Sequence, residues 1–597
     1  MVTDGPRRGA PRQALTGRER WSRLTVRTVA CVLVGIVAGL GACLFAWLLQ
    51  VGSALVLSRL CHFFPPGAAG EPATYADSLA GLSHEPIRWL LVLVPAIGGL
   101  FSGYLVQRFA PAASGHGTDA AILSFPRLGG RVRGRVPIVK TITSAITLGT
   151  GGSGGKEGPI AQIGAGFGSV LATRLGLPDS ERRLLMLAGV GAGVAAIFKA
   201  PLAGALFAGE VLYQSEELEH EALVPSVIAS VVSYSVFASV HGFEPVFRTP
   251  AVTFHRPQEL IGYGLLGLIC GAVGWLYVRC FYGLHGVFAR LPMPEWLKPA
   301  LGGLCTGLVG LAFPAVLATS YGYLQQALDG QATAGIGFFL ALALLKILTT
   351  SFSIGSGGSG GVFGPALVIG GSLGFVVGTV CQQMGLLHDA RAMIPVGMAG
   401  FFGGAAHAPL STVIMVSEMT GNYELLVPSM FTCAVSVVCL RGVRLYREQV
   451  RDRLASPAHV EESVAALLQG RLVADAANAH DVIVAEQMPL DEAARLYTTG
   501  GHTRYAVCNS QGVVTGVLDV RAVLAALTAT GPRPATAGEV AEAEFTVVAP
   551  TDSLYDALLL LDNDPHGLLI VADSVDQGSV GTLRRQDVLR QWAAQAA

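Results

Sequence analysis

Charged side chains are scarce in this sequence, and their scarcity argues against most classes of soluble protein. Asp, Glu, Lys and Arg make up 14% of the 597 residues, whereas soluble domains carry roughly 25%. Hydrophobic residues make up 51%, and the mean hydropathy is +0.53. The formal net charge of −1 gives no reason to expect nucleic acid as a partner. We therefore predict an integral membrane protein.

Paired cysteines are also lacking. The ten cysteines are scattered singly, without a C-x-x-C pair, which argues against both a disulfide framework and a zinc site. We interpret them as packing residues and predict no metal site.

Long apolar runs are abundant instead. The first extends without a charge from Val29 to Ser58, which at 1.5 Å per residue would span ~45 Å against a hydrocarbon core of ~30 Å. It is predicted to be a retained helix that tilts or protrudes, after a cytoplasmic, arginine-rich segment at 1–25. Further apolar segments lie near 89–106, 184–212, 222–241, 259–278, 299–320, 333–354, 392–417 and 424–440.

A glycine-rich turn that occurs twice organises this membrane region. Residues 149–159 and 355–365 agree at eight of eleven positions, with an offset of 206 (355 − 149). The next segments, 160–173 and 366–380, are predicted to be too short to cross a bilayer comfortably. Such broken helices, one set in each of two homologous halves, predict a site at the interface between the halves.

The two turns have the chemistry of an anion site, because a helix N-terminus presents unpaired N–H groups and the positive end of a dipole. Glycines at 149, 151 and 154 also match a dinucleotide-binding pattern, but they lie in an apolar stretch without a βαβ unit. A Walker loop is excluded because Glu157, instead of Ser or Thr, follows Lys156. A membrane enzyme is therefore disfavoured, and no catalytic residue is predicted.

Glu157 has two interpretations on residue chemistry alone. It can cap the helix that begins there, where the dipole and the amides favour a carboxylate. It can also act as a gate, because its carboxylate would compete with an anion for the same amides and leave when protonated. Both interpretations stay open at this level.

Residues 155–159 (Gly-Lys-Glu-Gly-Pro) and 361–365 (Gly-Val-Phe-Gly-Pro) resemble two of the three filter motifs of the CLC family of chloride channels and proton/chloride antiporters. The resemblance implies an all-α polytopic membrane domain built from an inverted repeat with broken helices. This domain would cover 26–448, with halves at about 26–245 and 255–448. The family pattern further implies a homodimer in the cell membrane, with a separate chloride pathway in each subunit.

The resemblance also assigns roles to single residues. Glu157 matches the gating glutamate, and the amides of Val362 and Phe363 match those that cradle a central chloride. Tyr446 resembles the tyrosine whose hydroxyl completes that site, although a tyrosine beside arginines is also typical of a membrane interface. The predicted anion-binding residues are Ser114, Lys156, Gly158, Val362, Phe363, Gly364 and Tyr446.

The third motif is altered, because the family often reads Gly-Ser-Gly-Ile-Pro where residues 113–117 read Ala-Ser-Gly-His-Gly. Ser114 still matches the serine whose hydroxyl faces the anion. His116 is interpreted as a polar residue at a helix start, with an ion or proton role as the alternative. Lys156 could concentrate anions at the mouth of the pathway or form a structural ion pair.

Val211 stands where proton-coupled members of the family carry a second glutamate, one residue after the position matched by Glu210. Valine cannot relay a proton, so the resemblance favours a passive, gated chloride channel. Proton-coupled antiport remains the alternative, since a few exchangers are thought to lack a carboxylate there. Glu210 recurs as Glu418 in the second half, at an offset of 208, and both are interpreted as structural carboxylates.

The composition changes after Leu440, and the tail reads as a soluble α/β region. A linker is predicted at 449–475, then two domains at 476–530 and 536–597 that resemble the paired, cytoplasmic CBS domains of many CLC proteins. The family pattern for adenine nucleotides is Gly-hydrophobic-x-Ser/Thr-x-x-Asp. Its hydroxyl is missing after both Gly516 and Gly581, and its acid is missing after Gly516. Nucleotide binding is therefore doubtful, and no cofactor is predicted.

Overall fold

A computed structural model describes residues 17–71, 85–252, 254, 256–332, 335–460, 465, 468–478, 483–500, 502–529, 534–572 and 581–596. Its chain divides into a compact unit from Gly17 to Ala458 and a second unit that begins at His459. Most of the predicted N-terminal segment 1–25 lies outside the described residues. The predicted domain boundaries stay predictions.

The first unit is built of α-helices. They are α1 (Gly17–Ser53, continued by a π-helix at Ala54–Leu60), α2 (Leu90–Phe109), α3 (Thr118–Arg127), α4 (Arg135–Gly149), α5 (Glu157–Arg174), α6 (Asp179–Phe198), α7 (Pro201–Glu210), α8 (His220–His241), α9 (Leu260–Arg290), α10 (Lys298–Ala312), α11 (Tyr321–Leu328), α12 (Ile336–Ser353), α13 (Phe363–Gln383), α14 (Met393–Ala406), α15 (Pro409–Thr420) and α16 (Leu426–Cys439).

Within the described ranges, six helical segments are long and apolar enough to cross a membrane. They are Thr25–Leu60, Leu90–Phe109, His220–His241, Pro257–Arg290, Ile336–Ser353 and Phe363–Gln383. The first confirms the long initial helix. The prediction that 366–380 is too short to span was wrong, because α13 starts within the turn at Phe363 and reaches 21 residues.

The two glycine-rich turns meet in space. Gly155 and Gly361, which are 206 residues apart, form an antiparallel bridge in which each N–H donates to the carbonyl of the other, at 2.7 and 2.6 Å. Hydroxyls around the bridge repeat the same exchange, since Thr143 donates to Ser359 and Thr349 to Ser153, both at 3.0 Å. Equivalent residues of the two halves are therefore related by a local two-fold axis through this bridge.

The apolar segments 184–212 and 392–417 each divide into two helices at equivalent points. Lys199 and His407 end α6 and α14 in the left-handed conformation, with φ of 54° and 52°. Pro201 and Pro409 then begin α7 and α15, where a missing N–H costs nothing.

Two carboxylates cross between the halves to cap the helices that come after these breaks. Glu210 accepts hydrogen bonds from the backbone N–H groups of Leu410 and Ser411, at 2.9 and 2.7 Å. Glu418 accepts in the same way from Leu202 and Ala203, at 3.2 and 2.9 Å. These contacts agree with the structural role predicted for both glutamates.

The second unit contains two three-stranded sheets of the same topology. In each sheet the first and second strands are parallel, and the second and third are antiparallel. Its elements are β1 (Ile483–Ala485), α17 (Leu490–Gly500), β2 (Arg504–Cys508), β3 (Val514–Asp519), α18 (Val520–Thr528), β4 (Thr546–Val548), α19 (Leu554–Asn563), β5 (Leu568–Val571), β6 (Gly581–Arg584) and α20 (Arg585–Ala596). Gly516 pairs with Val507 and Gly581 with Val571. The predicted α/β tandem repeat is thus confirmed.

Each repeat of the tail has a side-chain N-cap on one helix. Asp519 accepts from the N–H of Arg521 at 2.8 Å and from Nε of Arg504 at 3.0 Å, and Ser553 accepts from the N–H of Tyr555 at 3.2 Å. Burial acts to raise the pKa of Asp519, but these donors outweigh burial and the pKa lies below its ordinary value. Its stabilising contribution is therefore complete at neutral pH and is lost as the pH falls through the lowered pKa.

We expect Asp519→Ala to loosen the first repeat of the tail and Ser553→Ala to loosen the second. An N-cap is worth about 1 kcal/mol, which corresponds to an about fivefold larger population of the locally open state. Hydrogen exchange on the full-length protein at neutral pH should show the change over 520–528 in the first variant and over 554–563 in the second. Equal changes in both helices, or none, would contradict the assignment of the caps.

Candidate anion site

Glu157 begins α5 and is buried, with 2% of its surface exposed. Its Oε1 accepts a hydrogen bond from the hydroxyl of Tyr321, and its Oε2 accepts from the backbone N–H of Gly364, at 3.1 Å. Gly364 lies in the first turn of α13, where backbone N–H groups have no partner within the helix. The carboxylate of the first glycine-rich turn therefore accepts a hydrogen bond from a backbone amide of the second.

Small residues make room for this carboxylate. A Cβ placed on Gly155 would lie 2.1 Å from Oε2 of Glu157 and 2.7 Å from the amide nitrogen of Gly364. One placed on Gly364 would lie 2.8 Å from the same oxygen and 2.7 Å from the hydroxyl of Tyr321. Any side chain at either position would push the carboxylate away from its donors.

A small cavity of about 10 Å³ lies beside the carboxylate. Aromatic rings form part of its wall, since the ring of Phe363 lies 4.6 Å from that of Phe198 and 3.8 Å from that of Phe402, measured between centroids. The lining residues are Thr118, Glu157, Gly158, Ala161, Val194, Phe198, Phe207, Phe363 and Tyr446. The cavity thus combines apolar walls with few polar groups.

Two buried lysines lie at positions 206 residues apart. Lys140 donates to the carbonyls of Ala113 and Gly115, at 3.0 and 2.6 Å. Lys346 donates to the carbonyls of Val316 and Ala318, at 3.0 and 2.7 Å. These bonds fasten residues 113–115 and 316–318 to α4 and α12 at equivalent points of the two halves.

Comparison with known proteins decides the family. The family model of the voltage gated chloride channel matches residues 98–441, more than half of the chain. The H(+)/Cl(-) exchange transporter ClcA of Cronobacter sakazakii is 33% identical and covers 72% of this chain and 89% of its own length. The chain belongs to the voltage-gated chloride channel (CLC) family. This is a family of channels and transporters, and anion transport across a membrane is its common activity.

Other similarities agree with this membership of the CLC family. The putative chloride channel protein ClcB-like of Ralstonia nicotianae is 31% identical over 59% of this chain and 82% of its own. The crystal structure of a slow cyanobacterial Cl-/H+ antiporter, at 24% identity, has the same fold with a TM-score of 0.59 over 74% of this chain and 99% of that one. The CBS domain model matches residues 473–529 and 537–594. The predicted fold class is confirmed.

The structure brings four of the predicted CLC site residues to the cavity, namely Glu157, Gly158, Phe363 and Tyr446. Gly364 contributes its amide to Glu157 instead. Val362 is buried, and its carbonyl accepts from the hydroxyl of Tyr277 at 3.1 Å.

Two predicted anion-binding side chains point to other partners. The hydroxyl of Ser114 donates to the carbonyl of Gly357 at 3.2 Å, and Ser114 is not among the described residues that line the cavity. Lys156 forms an ion pair with Glu71, with 2.5 Å between Nζ and Oε1, and lies 5.7 Å from the ring centre of Tyr321. Their anion-binding roles therefore stay predictions, and the ion-pair alternative for Lys156 agrees with the structure.

Sequence reasoning missed Tyr321, Thr118 and Glu71. Tyr321 follows Ser320, which is the counterpart of Ser114 at the offset of 206, so the repeat could have drawn attention to it. Thr118 hydrogen bonds with Tyr446 and comes directly after the altered third motif. Glu71 carries no comparable signal in the sequence.

Val211, which is predicted to stand where proton-coupled CLC proteins carry an inner glutamate, is buried at the end of α7. Its carbonyl accepts from the side-chain amide of Gln449 at 3.1 Å. The side chain at this position is an aliphatic group without a proton-carrying atom.

We expect Tyr321→Phe to increase chloride flux, because it removes one of the two donors that hold Glu157 in place. A hydrogen bond to a charged group is worth about 1.5–3 kcal/mol, so the open population and the flux should rise about tenfold or more. Flux from proteoliposomes measures this.

The matched control is Tyr263→Phe. Tyr263 is also fully buried, and its hydroxyl has no hydrogen-bond partner among the described residues. Its loss should leave the flux unchanged, and equal effects of the two substitutions would refute the restraint on Glu157.

Proposed function

We propose that this protein exchanges chloride for protons across the membrane, with Glu157 as the gate. The observation that carries the proposal is the position of the carboxylate, which is bound to the Gly364 amide and the Tyr321 hydroxyl beside the cavity. A chloride that binds the same amide must displace the carboxylate. Protonation favours the same displacement, because a neutral carboxyl is a weaker partner for both donors.

The ground state of such a gate is closed. In that state the carboxylate holds the place of an anion at the N-terminus of α13. When chloride enters, the displaced carboxylate faces the pathway and becomes able to take up a proton. This is a physical basis for coupling, since the carboxylate that chloride displaces is the group that takes up the proton.

The similarity to ClcA supports exchange over passive flow, because that relative is named an H(+)/Cl(-) exchange transporter and covers 72% of this chain. The second candidate is the passive, gated channel, and Val211 is the observation that favours it. The ClcB-like relative, named a putative chloride channel protein, is compatible with that candidate.

The remaining binding roles belong to the same proposal. The amides of Val362 and Phe363, at the start of α13, and the hydroxyl of Tyr446 would hold chloride within the cavity. The hydroxyl of Ser114 would face the anion, as the resemblance to the family implies. Partial charges of this kind bind an anion only modestly, which allows it to leave again.

We also propose a homodimer in which each subunit has its own pathway, as the resemblance to the CLC family implies. The N-terminus and the tail would lie in the cytoplasm, because arginines are dense before α1 and after α16. The tail would serve as a structural module without a nucleotide, as Asp519 is already bound to Arg504.

The direction of the change in external pH distinguishes coupled exchange from passive chloride flow. Proteoliposomes loaded with chloride are diluted into chloride-free medium at equal pH. Passive chloride efflux would leave the interior positive and pull protons out, so the external pH would fall. Coupled exchange moves protons inward against that potential, so we expect the external pH to rise until a protonophore collapses it. A fall in pH would establish the channel instead.

The gate has a separate test in Glu157→Gln, which keeps the shape of the side chain but removes the proton. We expect chloride flux to persist, proton coupling to disappear and the pH dependence of the flux to become flat. The control is Glu259→Gln, because Glu259 is also buried, at 5% exposure, but does not line the cavity. A pH profile that is unchanged in Glu157→Gln would exclude the gating role.

A further inference from the structure

A histidine lies beside the central cavity, at the point where the third motif is altered. His116 is 7% exposed, and its ring centre lies 5.6 Å from that of Tyr446, which lines the cavity, and 6.3 Å from that of Phe281. Its carbonyl closely approaches the first turn of α5, since a Cβ on Gly158 would lie 2.2 Å from it. His116 therefore lies next to two residues of the cavity wall, Gly158 and Tyr446.

The two ring nitrogens of His116 have different surroundings. Nε2 lies 3.2 Å from Oδ2 of Asp119. Nδ1 is buried, and none of the described residues offers it a hydrogen bond. A buried polar atom without a partner costs about 1–3 kcal/mol, so its presence at this place calls for a function. An imidazole can take up a proton at one nitrogen and release another from the second.

Asp119 connects the histidine to solvent. Its side chain is 23% exposed, and it accepts from the backbone N–H groups of Arg447 and Glu448, at 3.4 and 3.3 Å. The arginine-rich segment after α16, of which Arg447 is part, is expected on the cytoplasmic side. The other titratable groups around the pair are Lys140, Tyr282, Tyr446, Arg447 and Glu448.

Val211, which stands where the inner glutamate is missing, and Asp119, the partner of His116, contact the same stretch of chain. Val211 contacts Gln449 through its carbonyl, and Asp119 contacts Arg447 and Glu448. The segment 446–449 thus runs from the valine to the His116–Asp119 pair and ends at the tyrosine of the cavity. Val211, at one side of this segment, carries no protonatable group, whereas His116 and Asp119, at the other side, both do.

We propose that His116 and Asp119 form the cytoplasmic entry for protons, in place of the carboxylate that is absent at Val211. The Asp119 carboxylate takes a proton from cytoplasmic water and passes it to Nε2 of His116. The imidazolium then releases the proton on Nδ1 to water in the cavity, from which the Glu157 carboxylate accepts it. Each step breaks one O–H or N–H bond and forms another, with no change of oxidation state. This inference rests on the proposed exchange function.

The test compares the ratio of proton to chloride flux within each variant, because a structural defect lowers both fluxes together and leaves their ratio unchanged. We expect the ratio in His116→Gln to fall at least about tenfold, since an amide carries no proton. His116→Glu should restore most of the ratio, because a carboxyl can be protonated. The matched control is His285→Gln, as His285 contacts the carbonyl of Gly355 and does not line the cavity.

Each result has one meaning. An unchanged ratio in His116→Gln, with a coupled wild type, overturns the proton entry but leaves the exchange function intact. Equal loss in His116→Gln and His116→Glu also overturns it, because shape and not protonation would then matter. A wild type without coupling overturns both proposals. If His116→Gln carries no chloride, the ratio in Asp119→Asn decides, and failure of every variant to fold assigns the pair to packing alone.

Discussion

The pair of hydrogen bonds between Gly155 and Gly361 is the constraint on which the membrane unit depends. Both helix N-termini come within three residues of this bridge, so its geometry sets where α5 and α13 begin. The close approach leaves no room for a side chain on Gly155. The backbone bridge therefore sets the distance between the Glu157 carboxylate of one half and the Gly364 amide of the other.

Function arises where the two copies differ on this shared backbone. Glu157 and Phe363 occupy equivalent positions, yet only Glu157 accepts a hydrogen bond from a backbone amide of the other half. Phe363 packs against Phe198 and Phe402 and closes the cavity on an apolar side. A symmetric pair of glutamates would place two carboxylates at one point, where like charges repel. The asymmetry gives one removable charge and one fixed wall.

Local pattern and repetition in the sequence were sufficient to predict the repeated turns and the kind of site they form. The offset of 206 predicted the meeting of the two turns, and the glycines with Glu157 predicted an anion site. Local patterns were insufficient to predict the roles of Tyr321 and Glu71. Tyr321 contacts Glu157 across 164 residues of sequence, and Glu71 contacts Lys156 across 85, so neither contact leaves a local pattern. The length of α13 was misjudged for a related reason, since a turn of Gly and Pro reads as a break although Pro is tolerated in the first turn of a helix.

Glu210, Glu418 and Glu157 all accept hydrogen bonds from amides at helix starts, but they differ in what holds them. Glu210 and Glu418 each accept from two backbone N–H groups, and those donors cannot turn away without unwinding a helix. Glu157 accepts from one backbone N–H and one phenolic hydroxyl, and a hydroxyl can rotate to another acceptor, chloride included. Glu157 also lies beside a cavity, so its carboxylate has somewhere to go. The same residue type is therefore a fixed cap at two positions and a movable one at the third.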